Sequence, residues 1–233
     1  MCSYILKNGG IIMSEINILG IDEIENLNTK IDDIDTEVIN LIFVAIDGSG
    51  SMSPYVNDMK SSLSDFQGAL LGSKEVDEIL LARADFSGSI NIGGYKPVDQ
   101  FDVNYRASGL TVLYDVIVDG SAKLLQYMDY LKRQGMRVKA VFSVFSDGDD
   151  TASRSSINEA KKCIEDLKNQ EITTAFISFG SGAENEAKKL KFGNILTVGS
   201  SASELRRAFN TLSKSVIDSS KSVTPTTDSF FDI

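Results

Sequence analysis

The segment Asp47-Gly48-Ser49-Gly50-Ser51 follows directly on the apolar run Leu41 to Ile46. A carboxylate and two hydroxyls at alternate positions, separated by glycines that let the backbone curl, can converge on one hard cation. Magnesium favours such all-oxygen chemistry and keeps several of its waters, so the spacing suggests a magnesium-type site. Open α/β sheets build their sites at the carboxyl ends of their strands, which is where an apolar strand ending at Asp47 delivers these groups.

Two further segments offer matching groups. Gly109-Leu110-Thr111 precedes a long helical pattern, and Ser146-Asp147-Gly148 closes a second apolar run. Taken singly, each has an ordinary reading: threonine as a helix cap, aspartate-glycine as a turn. Asp149 and Asp150 read first as acids favouring the start of a helix near Ser155, and second as extra charge that shifts metal preference toward calcium or manganese.

The chain contains no histidine. That removes Ser-His-Asp and Cys-His catalysis, histidine metal ligands and a histidine pH switch. Cys2 and Cys163 are too far apart in sequence to imply a disulfide framework or a zinc site, and they fit a reducing compartment. A formal net charge of -10 over 233 residues argues against a broad nucleic-acid-binding surface. No stretch has the apolar core of a signal peptide or the roughly 20 apolar residues of a membrane span, so a cytoplasmic location is expected. Met13 is an alternative start.

Positioning these residues requires a scaffold. From residue 41 short apolar runs alternate with segments of helical period, the pattern of a parallel sheet flanked by helices. Strands are predicted at 41–46, 78–86, 89–95, 138–145, 172–179 and 194–198, with the turn Ser87-Gly88 making an antiparallel edge hairpin of the second and third. Helices are predicted at 55–71, 113–134, 155–169, 183–191 and 203–217. Pro54 suits the start of the first, Gly135 suits the stop of the second, and Gly120 costs that second helix about 1 kcal/mol of propensity. Residues 1–36 form an N-terminal extension, 37–218 the domain and 219–233 a flexible tail whose end, Phe230 to Ile233, is expected to fray.

The joint order Asp-x-Ser-x-Ser, Gly-x-Thr and Ser-Asp-Gly on three successive strand ends resembles the von Willebrand factor A domain and its metal-ion-dependent adhesion site. The likeness covers about residues 38–217 and all five ligand positions. It implies a doubly wound α/β fold, with a mostly parallel central sheet, one antiparallel edge strand and helices on both faces. It further implies that Asp47, Ser49, Ser51, Thr111 and Asp147 surround one Mg2+, Mn2+ or Ca2+ ion. Ser49 and Ser51 would bind directly, and Thr111 or an aspartate at times through water. A Glu or Asp of a partner protein would fill the open position, with affinity tied to movement of the last helix. The resemblance points to an intracellular, stand-alone bacterial member of the kind found in stress-response, tellurite-resistance or ATPase-linked assemblies, an interaction module and not an enzyme. Asp228 or Asp232 of the chain's own tail could also occupy the open position.

Other classes match less well. A magnesium-dependent phosphoryl-transfer enzyme would use Asp47 as nucleophile, yet it needs a second aspartate where Ser49 stands. A dinucleotide site would lack its third glycine, because Ser53 occupies that place.

Overall fold

The computed structural model describes residues 38–74, 79–180, 182–222 and 229–232. The extension expected at 1–36 lies outside the described residues. Strand β1 (Val38–Asp47) is buried along nearly its whole length and pairs in parallel with β2 (Ile79–Phe86) on one side and β5 (Arg137–Ser146) on the other. β6 (Thr173–Phe179) and β7 (Asn194–Val198) continue the parallel sheet beyond β5. At the far edge, two short strands, β3 (Ile90–Ile92) and β4 (Lys96–Pro97), both run antiparallel to β2. The seven strands follow the order β3-β2-β1-β5-β6-β7, with β4 also on β2. This is the expected doubly wound α/β sheet, its antiparallel edge divided into two pieces. Short, interrupted edges of this kind resist pairing with a second sheet.

Helices cover both faces. α1 (Val56–Leu71) turns Met59, Leu63, Phe66 and Leu70 inward, and α5 (Ala202–Lys221) turns Leu205, Phe209, Leu212 and Val216 into the same apolar cluster as Ile42, Val44 and Ile46 of β1. α2 (Leu113–Arg133) lies on the opposite face, over the stacked rings of Phe43 and Phe142, whose centroids are 5.0 Å apart. Gly120 explains the close approach, since a Cβ there would sit 2.5 Å from Phe43 Cζ. A residue that weakens the helix locally thus lets the helix reach the sheet. α3 (Ile157–Asn169) opens on a capping box formed by Ser156 and Glu159, two residues later than the pattern places it. α4 (Ala183–Lys189) completes the set.

Three local expectations change. The first helical segment begins as a 3-10 turn, Gly50–Tyr55, with Pro54 inside it. At the other end of the chain, α5 runs on to Lys221, past the expected end of the domain, because Lys139 of β5 supplies donors to its last carbonyls. The Lys139 ammonium reaches the carbonyls of Ser220 at 2.6 Å and Ser222 at 2.7 Å, neutralising groups that a helix end leaves open. The expected frayed end is also corrected. Phe230 is buried in the α1/α5 core, and its amide donates to Asn194 Oδ1 at 2.9 Å. An aromatic ring that can reach an apolar cluster outweighs the entropy of a short terminal segment.

Candidate metal centre

Asp47 is the last residue of β1 and Ser146 the last of β5. Because the two strands are parallel neighbours, their carboxyl ends emerge side by side, which brings the loops after Asp47 and Ser146 together. Asp47 is fully buried. Its Oδ1 accepts from the Ser49 amide at 2.8 Å and its Oδ2 accepts from the Ser146 hydroxyl at 2.6 Å, so both oxygens are oriented. The Tyr105 hydroxyl donates to the Asp47 carbonyl. Gly48 is pinned on both sides: its amide donates to the Phe86 carbonyl and its carbonyl accepts from the Ser108 amide, each at 2.7 Å. A Cβ at Gly48 would lie 3.0 Å from the Arg106 carbonyl oxygen, so the tight packing favours glycine there.

From this anchor the hydroxyls form a chain. Ser49 Oγ lies 2.9 Å from Ser51 Oγ, and Ser51 donates to Asp147 Oδ1 at 3.0 Å. A hydroxyl has one proton, so with Ser51 donating to Asp147 it is Ser49 that donates to Ser51. Four of the five expected groups are thereby linked. Thr111 is buried on the adjoining loop, which the Gly50 amide ties to the first by donating to the Gly109 carbonyl at 3.0 Å. Its side chain joins none of the hydrogen bonds among the other four residues.

The backbone of Thr111 is clasped by the loop after β5. Its amide donates to Thr151 Oγ1 at 2.8 Å, and its carbonyl accepts from the amides of Thr151 at 2.9 Å and Ala152 at 3.1 Å. Asp150 makes its hydrogen bonds away from the start of α3 and caps α2, accepting from the Tyr114 amide at 3.2 Å and from the Ser153 hydroxyl at 2.5 Å. Asp115 of α2 returns the contact, accepting from the amides of Arg154 at 3.0 Å and Ser155 at 2.7 Å. The loop that carries Asp147 and the loop that carries Thr111 are therefore one hydrogen-bonded unit. Neither this clasp nor the roles of Ser146 and Tyr105 can be read from local spacing. The one sequence signal was the Ser146-Asp147 pair itself.

Burial pushes the carboxyls of both Asp47 and Asp147 above the ordinary aspartate range. Hydrogen bonds from Ser146 and Ser49 pull Asp47 partly back, the Ser51 hydroxyl does the same for Asp147, and the charge of Asp147 adds to the rise at Asp47. Among the described residues no lysine or arginine pairs with either acid. Two desolvated carboxylates without a cationic partner, next to two linked hydroxyls, fit a divalent ion by charge and by hardness. No group of three or more acidic or thiol ligands occurs among the described residues, so a site here has to draw on hydroxyls. Asp232 lies beside Phe230, held at the start of β7, the end of the sheet opposite to the candidate centre. That end carries Asp232 away from the candidate centre, and Asp228 lies outside the described residues.

No family model and no curated protein sequence matches this chain. Solved structures do. The pilus adhesin SpaC from Lactobacillus rhamnosus GG, in its open conformation, aligns with a TM-score of 0.63 at 12% identity over 78% of this chain and 30% of that one. Proximal thread matrix protein 1 from the mussel byssus, with a zinc-occupied metal-ion-dependent adhesion site, aligns with a TM-score of 0.55 at 16% identity over 84% of this chain and 52% of that one. The SpRpn10 VWA domain aligns with a TM-score of 0.53 at 9% identity over 74% of this chain and 94% of that one. The chain spans less than two thirds of the length of the adhesin and the byssus protein. What is shared at these identities is the fold, a von Willebrand factor A-like α/β domain.

Proposed function

We propose that this chain is a metal-dependent protein-interaction module. Asp47, Ser49, Ser51 and Asp147, with Thr111 on the adjoining loop, would hold one divalent cation, for which Mg2+, Mn2+ and Ca2+ are the candidates. The observation that carries the reading is the linked series of Ser49, Ser51 and Asp147 beside a buried, doubly hydrogen-bonded Asp47 without a cationic partner. The byssus protein with its zinc-occupied site supports it by fold.

A bound cation would supply a Lewis-acidic position for an outside oxygen ligand. Two aspartates balance its charge without filling its coordination sphere, so a Glu or Asp of a partner protein can replace a water. The chain's own residues do the rest: Ser146 and the Ser49 amide orient Asp47, and the Thr151 clasp holds Thr111 against the loop of Asp147. Nucleic acid is a poor partner for a chain of net charge -10. No helix among the described residues is long and apolar enough to cross a membrane. We place the module in the cytoplasm on the sparse, separated cysteines.

Two features count against the phosphoryl-transfer alternative: Ser49 stands where it needs a second aspartate, and among the described residues no lysine pairs with Asp47. We therefore read the chain as non-enzymatic. Calorimetric titration of Mg2+ and Mn2+ into metal-free protein tests the reading, with Ser49→Ala and Asp147→Ala as controls. One saturable site, lost in both variants, is expected; absence of binding to the wild type by either metal refutes the cation assignment.

A further inference from the structure

Between β2 and the segment that leads from Phe101 to Ser108 lies a cleft of about 650 Å³. Gly48, which stands between Asp47 and Ser49, forms part of its wall, so the cleft and the candidate metal centre share a loop. Five charged side chains line it: cationic Lys60, Arg83 and Arg106, and acidic Asp85 and Asp102. That is a local excess of positive charge on a chain whose formal net charge is -10.

Arg83 is built into the wall, its side chain only 8% exposed on β2. Its Nε and Nη2 donate to a single oxygen, Asp85 Oδ1, at 3.1 and 2.6 Å, and its Nη1 donates to the Asp102 carbonyl. A guanidinium has five N–H donors, so these three bonds leave two for a ligand in the cleft. The Asp102 carboxylate is turned to Asn104, whose amide and side chain donate to its Oδ1 at 2.9 and 2.8 Å. Lys60 and Arg106 are exposed and pair with no carboxylate among the described residues.

Building on the cation reading, we propose that this cleft takes an acidic polypeptide segment of the same partner: one of its carboxylates completes the metal, and a second is held by Arg106 and Lys60 with the buried Arg83 behind them. Buried arginine suits a planar carboxylate better than lysine does. Asp85 decides between a peptide and a phosphate. Its Oδ2 accepts no hydrogen bond from any described residue, and a peptide brings N–H donors for it, whereas an ionised phosphate brings only further acceptors. The overall negative charge of the chain also repels a long polyanion beyond the cleft, while a short acidic segment stays within it.

A labelled short oligoglutamate is the probe, since it presents carboxylates at every spacing. Its binding to the full chain is followed by fluorescence anisotropy in excess Mg2+ and again in chelator, for wild type, Ser49→Ala and the double variant Lys60→Glu/Arg106→Glu. The double variant is expected to lower oligoglutamate affinity about tenfold in both conditions, while its Mg2+ affinity, measured alone, is not weakened, since the two new carboxylates favour a cation. Ser49→Ala is expected to remove only the Mg2+-dependent part. Unchanged oligoglutamate affinity in the double variant overturns the cleft assignment, with thermal unfolding confirming that the variant is folded. Loss of binding in the double variant without any Mg2+ effect in the wild type keeps the cleft and refutes the cation reading. A labelled oligonucleotide that binds more tightly than oligoglutamate, through the same two residues, overturns the peptide assignment.

Discussion

Ser51 donates a 3.0 Å hydrogen bond to Asp147, a residue 96 positions further along the chain, and this single contact joins the loop after β1 to the loop after β5. Both ends of the bond are groups with affinity for a divalent ion. Ser51 gives its proton to this bond and keeps an oxygen lone pair that a cation can use without breaking it.

Thermal stability should therefore respond to the metal. Binding to the folded state alone stabilises it by RT ln(1 + [L]/Kd), about 2.7 kcal/mol at a hundredfold excess over Kd. A rise in Tm with Mg2+ is expected for the wild type and should be absent in Ser51→Ala. Differential scanning calorimetry at several Mg2+ concentrations checks this, and an equal rise in both proteins would place the ion elsewhere.

The raised carboxyls of Asp47 and Asp147 give a pH signature whose sign follows from linkage. Folded, metal-free protein keeps these protons to a higher pH than the unfolded chain, whose aspartates titrate near 3.8. The stabilising contribution of the two groups is present below that value and is lost as pH rises toward their folded pKa. Mg2+ reverses the trend, because it binds the ionised form and competes with the proton. In metal-free protein, Asp147→Asn should gain stability relative to the wild type as pH rises from the acid side. The Tm increment from Mg2+ in the wild type should grow over the same range. Tm measured against pH with and without Mg2+ checks both signs.

Thr151 makes no hydrogen bond to an expected ligand side chain, yet it holds the backbone of Thr111 from both its hydroxyl and its amide. Groups that orient metal ligands typically contribute 10–100-fold in affinity. Thr151→Val should weaken Mg2+ binding about tenfold, and Thr151→Ser, which keeps the hydroxyl, should restore it. Titration of both variants at matched folded fraction separates positioning from stability, and an unweakened Thr151→Val would show the clasp to be structural only.

Gly120→Ala offers a test of the fold without touching the site. Alanine adds about 1 kcal/mol of helix propensity, but its Cβ would meet Phe43 Cζ at 2.5 Å, and the Phe43 ring is buried against Phe142 with little room to move. Overpacking of this kind costs about 1–3 kcal/mol. Net destabilisation is expected in urea unfolding, with Mg2+ affinity unchanged; a stabilised variant would mean that α2 sits less closely on the sheet.

Local order was written in the sequence. The apolar run before Asp47 is a strand, the helix predicted at 113–134 is Leu113–Arg133, and β7 spans the predicted 194–198, because period and punctuation are properties of neighbouring residues. The Asp-x-Ser-x-Ser loop was legible for the same reason, since its groups lie within five positions of each other. Tertiary structure alone decided what these groups meet. Ser146 bonds Asp47 across 99 positions, Tyr105 reaches the Asp47 carbonyl across 58, and Thr151 clasps Thr111 across 40. Such pairs form because parallel strand pairing places distant strand ends side by side, and no periodicity in one stretch encodes its register against another. The docking of Phe230 and the cleft around Arg83 belong to the same class. A terminal phenylalanine and a strand arginine have no local reason for burial, and each is buried because a remote part of the chain supplies the apolar cluster or the carboxylate that makes burial favourable.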